Sequence, residues 1–231
     1  YQDRPAKYKI YQVWSNDDKE RKRDSNDIYG TDFGAGYFKP KACDYCDDVF
    51  NETSDISIGD AWLPEYQNDP KGTTIVVVRN RDLLELIKFY LDIDALRLTK
   101  LHVDDVANSQ SAGLRHRREA LSYRILKQTI KDNWYPKKRV FADEYKISSS
   151  RKHIYDLREK IAEQSHIAFY KALQKTNLNV LYKEMRSLDR KYHSAIYGTM
   201  PIRAINKLKR IMLKVKSKAH SILQMIITSI V

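Results

Sequence analysis

Two cysteines among 231 residues are too few for a disulfide framework of any size. Glycine (7) and proline (6) are scarce, which excludes collagen-like and low-complexity chains. No run of 18 apolar residues occurs, so no segment reads as a membrane-spanning helix. The glycines around Tyr29–Gly36 lack the G-x-G-x-x-G spacing after a strand, and neither a P-loop nor a G-x-S-x-G elbow is present. No internal repeat is visible. What remains is a chain with 42% apolar residues, long enough to bury roughly 70% of its unfolded surface without a metal or disulfide. Its first residue is Tyr1, with no initiator Met and no signal peptide, so the chain reads as a piece of a longer protein in a reducing, cytoplasmic compartment.

Charge divides the chain. The formal net charge is +12, but residues 1–110 hold 15 Lys/Arg against 21 Asp/Glu, and residues 111–231 hold 27 against 9. Asymmetry of this kind points to two jobs. Both cysteines and nearly all the strand-type patterning lie in the acidic half.

Local patterns in that half alternate between strand and helix. Lys7 to Trp14 is aromatic and β-branched and reads as a strand, with Ser15 to Asp27 as a charged hairpin loop or insertion. Asp55 to Gly59 alternates like a half-buried strand. Thr73 to Arg79 is a continuous apolar, β-branched run, the pattern of a strand covered on both faces. Asn80 or Asp82 can cap a helix from Leu83 to Leu91, with Leu83, Leu84, Ile87 and Tyr90 on one face. Leu96 to Val103 alternates again and predicts one more strand. Beyond about residue 110 the chain reads as helices: Gly113 to Lys131, about 151 to 175, Asn177 or Asn179 to Tyr197, and a last one from Ile202. The expected fold is α/β or α+β with a mixed sheet over residues 1–135, followed by a mainly α-helical basic extension over 136–231.

The main chemical candidate is Cys43-Asp44-Tyr45-Cys46. A C-x-x-C turn aims two sulfurs at one point, as zinc and iron–sulfur sites require, yet a full site needs four ligands. His102 and His116 are available for zinc, but no histidine has ligand spacing to another. A thioredoxin-type pair would sit at a helix N-terminus, and here Asp44, Asp47 and Asp48 disfavour an exposed thiolate. Metal ligation, redox exchange and ordinary packing all stay open on these residues alone. The three aspartates read either as charges that lower the potential of a nearby redox centre or as solvated loop charges. Arg115, Arg117 and Arg118 are candidates to clamp a phosphate, or a solvated helix face. The 16 tyrosines are scattered over both halves and read as packing residues rather than a base-stacking platform.

The stretch from Tyr37 through Cys43 and Cys46 to Asp47-Asp48, followed by Ser54-Asp55-Ile56-Ser57-Ile58-Gly59-Asp60-Ala61-Trp62, resembles the C-terminal domain of the coenzyme F-420 hydrogenase/dehydrogenase beta-subunit family. Ser54 stands where that family usually has alanine. Lys71 to Arg79 and the Asn108-Ser109-Gln110 turn are similar as well, so the resemblance covers roughly residues 5–130. It implies a flavin- and iron–sulfur-dependent oxidoreductase module, in which Cys43 and Cys46 are two ligands of a 4Fe-4S cluster. The other two cysteines would lie outside this chain. It further implies that the strand end faces FAD or another flavin, with Asp55, Ser57, Gly59, Asp60, Trp62, Asn108 and Gln110 as cofactor-binding candidates. Expected partners are a redox donor or acceptor protein, or the deazaflavin itself. A basic helical tail is closest to members found with bacterial surface-polysaccharide biosynthesis proteins.

That tail carries its own signal. Residues 201–231 hold Arg203, Lys207, Lys209, Arg210, Lys214, Lys216 and Lys218 and no acidic residue, with Ile205, Leu208, Ile211, Met212 and Val215 at helical spacing. Such a helix packs on the domain with its cations in water, or meets an anionic membrane face or a nucleic acid, the last being the weakest fit. The alternative to an oxidoreductase is therefore a non-enzymatic basic helical adaptor with structural or zinc-bound cysteines. Under either reading the expected place is the cytoplasm, with the inner membrane face as the tail's second implication.

Overall fold

A computed structural model of the chain describes residues 10–13, 21–24, 28–66, 69 and 71–198. The basic tail, from Arg203 to Lys218 and beyond, and the helix expected from Ile202 lie outside the described residues. The chain divides into two compact units, residues 1–148 and 149–231, a division later than the expected 135/136 boundary.

The first unit opens with strands β1 (Ile10–Val13) and β2 (Arg21–Asp24), paired antiparallel with Ile10 opposite Asp24, so the charged segment is a hairpin. A second antiparallel ribbon pairs β3 (Ile56–Asp60) with β4 (Thr74–Val78), Gly59 facing Ile75. Among the described residues both sheets have two strands and neither is mixed, which settles the fold as α+β. Two expectations change as a result. Strand β4 is not covered on both faces: Ile75 is buried, but Val76, Val77 and Val78 are half-buried. Its β-branched run answers to strand propensity rather than to burial. Nor do residues 96–102 form a strand. Leu96 and Leu98 are exposed, and the His102 ring accepts a hydrogen bond from the Asp104 amide, which starts a helix at Val103 instead.

Helix α1 (Arg81–Asp92) begins where expected, because the Asn80 side chain accepts from the amides of Asp82 and Leu83. It buries no residue. Helices α2 (Val103–Ser109), α3 (Ser111–Arg117) and α4 (Glu119–Ile130) follow. The single helix expected over 113–131 is thus two, parted at Arg118, whose φ of −113° and ψ of −75° leave the helical range. The core of this unit gathers Leu121, Ile125 and Val140, with Tyr45, Tyr135, Ala142 and Tyr145 packed against them. Residues 136–148 therefore pack with the first unit, tied further by the Glu144 amide donating to the fully buried Ser122 hydroxyl at 2.9 Å.

The second unit is a helical hairpin of α5 (Ser149–Gln174) and α6 (Asn179–Tyr197). Ile161, Ser165, Ala168 and Ala172 of α5 and Leu181 and Met185 of α6 are buried. Small residues at that seam let two helix axes approach closely. Gly198, at φ 81°, closes α6 in a conformation that only glycine adopts without strain.

Candidate functional site

The cysteine pair sits on a turn held from several sides. Pro40 precedes a short 3-10 helix, Lys41–Tyr45, and the Cys43 amide bonds the Pro40 carbonyl at 3.0 Å. Cys43 is exposed and Cys46 half-buried, and both are free thiols. Cys46 Sγ lies 3.4 Å from the Asp48 carbonyl, to which it donates.

Between the cysteines, Asp44 points inward. Only 3% of it is exposed, and its carboxylate pairs with Lys39 and, at 3.7 Å, with Lys41. A buried carboxylate is tolerable only when paired in this way. Its backbone carbonyl accepts from Nε of Arg124, 2.7 Å away on α4, and Arg124 also donates through Nη2 to the His116 carbonyl at 3.1 Å. Arg124 is itself 3% exposed. Tyr45 completes the anchorage by packing against the α4 core.

The other two aspartates are equally engaged. Asp48 accepts from the amides of Phe50 and Glu52, both at 2.9 Å, and so shapes the loop that follows. Asp47 lies 3.5 Å from Lys138 and from Arg139. Burial alone would push its carboxyl up, but those two cations and backbone amides outweigh it and hold it below the ordinary range. Glu52 takes a two-point grip from Arg139, at 2.6 and 2.8 Å, and that bond holds Glu52 low and Arg139 high. The acidic residues beside the cysteines are therefore neither solvated loop charges nor an unbalanced negative field. They are the pins of the turn.

A shallow groove of about 350 Å³ adjoins this loop, lined by Val49 to Asn51, Ser57 to Gly59, Ile75, Val77 and Gln110. Its back wall is a hydrogen-bonded knot. Arg79 donates to the Ser57 hydroxyl at 2.7 Å and to the carbonyls of Ser54 and Phe50, while Ser57 Oγ donates to the Phe50 carbonyl. At the groove's edge, Gln110 Nε2 donates to the Asp60 carbonyl at 2.7 Å. Gly59 has open space where a side chain would be, with no atom within 4 Å of a built Cβ. A glycine in a strand without a steric or backbone reason marks a place where something approaches closely.

Of the cofactor-binding candidates, Ser57, Gly59 and Gln110 line this groove, and Asp60 joins through its carbonyl. Asp55 does not. It is turned toward Asn80, whose Nδ2 donates to its carboxylate at 3.1 Å. Trp62 is 41% exposed and Asn108 exposed, and neither lines the groove. Arg115, Arg117 and Arg118 form no common clamp: Arg115 is exposed, Arg117 half-buried, and Arg118 lies 3.9 Å from Glu52. Among the described residues no group of three or more potential ligands forms a metal site, so the histidines complete no zinc centre with the cysteines there.

Residues 6–103 match the family model of the coenzyme F-420 hydrogenase/dehydrogenase beta subunit, C terminus. The matched segment contains the cysteine turn, the β3–β4 ribbon and α1, and it stops short of Asn108 and Gln110. No curated protein and no solved structure matches the chain. This segment is thus a beta-subunit-like domain of an oxidoreductase family, as its cysteine and strand motifs suggested.

Such a domain is associated with iron–sulfur and flavin chemistry, and the residues present can be measured against both. Two thiols, one exposed, on a pinned turn fit one half of a 4Fe-4S cluster, which takes four thiolates. The groove with the bare Gly59 fits one edge of a planar ring rather than a whole dinucleotide.

Proposed function

We propose that this chain is the C-terminal part of a flavin- and 4Fe-4S-dependent oxidoreductase of the F-420 beta-subunit type. Cys43 and Cys46 supply two cluster ligands, and cysteines outside this chain supply the others. The observation that carries the reading is the pinned, solvent-facing turn inside the matched segment: Asp44, Arg124 and Asp48 fix the backbone while Cys43 stays exposed. Preorganised thiols need no reordering when a cluster binds, and that lowers the entropic cost of binding it. When bound, the cluster passes single electrons and the flavin converts them to hydride transfer. For their part, Gly59 leaves room for a ring edge, and Gln110 and the Asp60 backbone set the polar rim against it. The electron partner is a redox protein or a deazaflavin, and the setting is surface-polysaccharide biosynthesis, for which the basic helical extension is the supporting feature.

The test is an anaerobic ultraviolet–visible spectrum with iron, zinc and flavin analysis of the protein carrying this sequence, beside its Cys43→Ser/Cys46→Ser variant. A broad iron–sulfur band near about 400 nm that disappears in the variant is the expected result. A colourless protein holding zinc or no metal after anaerobic reconstitution would refute the proposal.

A further inference from the structure

The turn between α5 and α6 exposes more apolar surface than the hairpin needs. Tyr170 is 64% exposed, Leu173 59% and Leu178 53%, and Phe169 and Tyr182 are also open to solvent. The seam between the helices is already filled on α5 by Ser165, Ala168 and Ala172, so these side chains add nothing to it. Phe169 and Leu173 are four residues apart on α5, as are Leu178 and Tyr182 on α6. In two antiparallel helices with those seam positions, all four fall on the same side of the hairpin tip.

Charge and backbone at the tip point one way. From Gln164 to Lys183 there is no Asp or Glu, and the charged residues are Lys171, Lys175 and Lys183. Lys171 pairs back to Glu184 at 3.1 Å, while Lys175 and Lys183 are exposed at the flanks of the apolar cluster. The turn satisfies its own backbone to an unusual degree. The amides of Lys175, Thr176 and Asn177 bond the carbonyls of Lys171, Leu173 and Ala172, and the Asn177 side chain accepts from the Asn179 amide. Backbone donors that are paired internally can leave water without the cost of a bare polar group.

We propose that the α5–α6 tip enters the interface of an anionic bilayer. Leu173 and Leu178 reach the acyl boundary, Tyr170 and Tyr182 sit at headgroup depth, and Lys175 and Lys183 reach the phosphates. Amphipathic aromatic rings favour that depth, long lysine stems extend from it to the headgroups, and cations there are drawn to an anionic leaflet. A nucleic acid would meet too few cations here and would leave the leucines uncovered. This inference stands independently of the cysteine turn.

The test uses the whole chain with vesicles of phosphatidylcholine, with and without phosphatidylglycerol, and compares it with a Tyr170→Ser/Leu173→Ser/Leu178→Ser variant. All three positions are exposed, and circular dichroism checks that the helices persist. Expected are binding only to the anionic vesicles and a partition coefficient lowered about tenfold or more in the variant. In a separate Leu173→Trp variant, the added emission shifts blue on binding and is quenched by brominated acyl chains. Undiminished binding of the triple variant would assign any affinity to the basic tail and overturn the proposal. So would equal binding to neutral vesicles, or an added emission that neither shifts nor quenches. Self-association without lipid that the triple variant abolishes would also overturn it, in favour of a second copy as the occupant.

Discussion

Replacing Arg124 by methionine removes the strongest long-range tie on the cysteine turn and leaves the local sequence of that turn untouched. The guanidinium donates to the Asp44 carbonyl at 2.7 Å and to the His116 carbonyl at 3.1 Å, in surroundings where only 3% of the residue sees solvent. A hydrogen bond from a charged donor contributes roughly 1.5–3 kcal/mol net, and each carbonyl left unpaired in the interior adds a penalty. Against this, methionine fills similar space and relieves the desolvation of a buried cation. The balance is a loss of about 3 kcal/mol, a sizeable part of the stability of a single domain. If that loss falls on the turn, amide exchange in residues 41–46 speeds up by about a hundredfold at unchanged intrinsic rates, while amides of α5 and α6 keep their protection. Hydrogen exchange followed by mass spectrometry reads this directly, and Arg124→Lys, which keeps the charge but not the fork, should fall between. A destabilisation under about 1 kcal/mol, or one with no excess exchange at 41–46, would refute the claim that Arg124 pins the turn.

Two further outcomes follow from the same site. Asp47 and Glu52 have lowered folded-state pKa values, so their contribution is present above their unfolded values and is lost as pH falls through the lower folded ones. Exchange in residues 46–52 should therefore stay slow near neutrality and accelerate only below roughly pH 4, and loosening already present near neutral pH would contradict the Arg139 and Lys138 pairing. Gly59→Ala should shift stability by no more than roughly 0.5 kcal/mol, since its Cβ meets open space and its φ lies outside the left-handed region. Flavin measured after isolation should nevertheless drop, and full retention would remove the groove from the cofactor site.

The elements that were legible in the sequence have local causes. Asn80 announced α1 because a capping side chain and the amides it binds lie within three residues. The α5 and α6 boundaries were visible for the same reason, in Ser149 and in the Asn177 to Asn179 turn. Misreadings arose where a pattern had two physical sources. Alternation over 96–103 looked like a strand, but a strand needs an edge to pair with, and the Asp104–Asp105 pair after His102 was a helix-start signal that outweighed it. Arg118 carries no residue-type mark of a break, so the split into α3 and α4 was not readable locally.

At the site, the cysteines and the Ile56–Asp60 strand end were legible as motifs, whereas the residues that hold them were not. Arg139 reaches Glu52 across 87 positions and Arg124 reaches Asp44 across 80, and both pairings involve contacts that no spacing rule records. One signal was nonetheless present. Position 124 lies on the buried face of α4, three residues after Leu121 and one before Ile125, both almost wholly covered. An arginine in register with a core stripe must find acceptors inside the protein, because the cost of burying it bare is too great. The inward Asp44 between two cysteines is the reciprocal case, a charge at a place where the outward neighbours are the functional atoms. Charged residues in register with apolar faces, rather than the conspicuous charge runs, were the marks of the machinery that positions this turn.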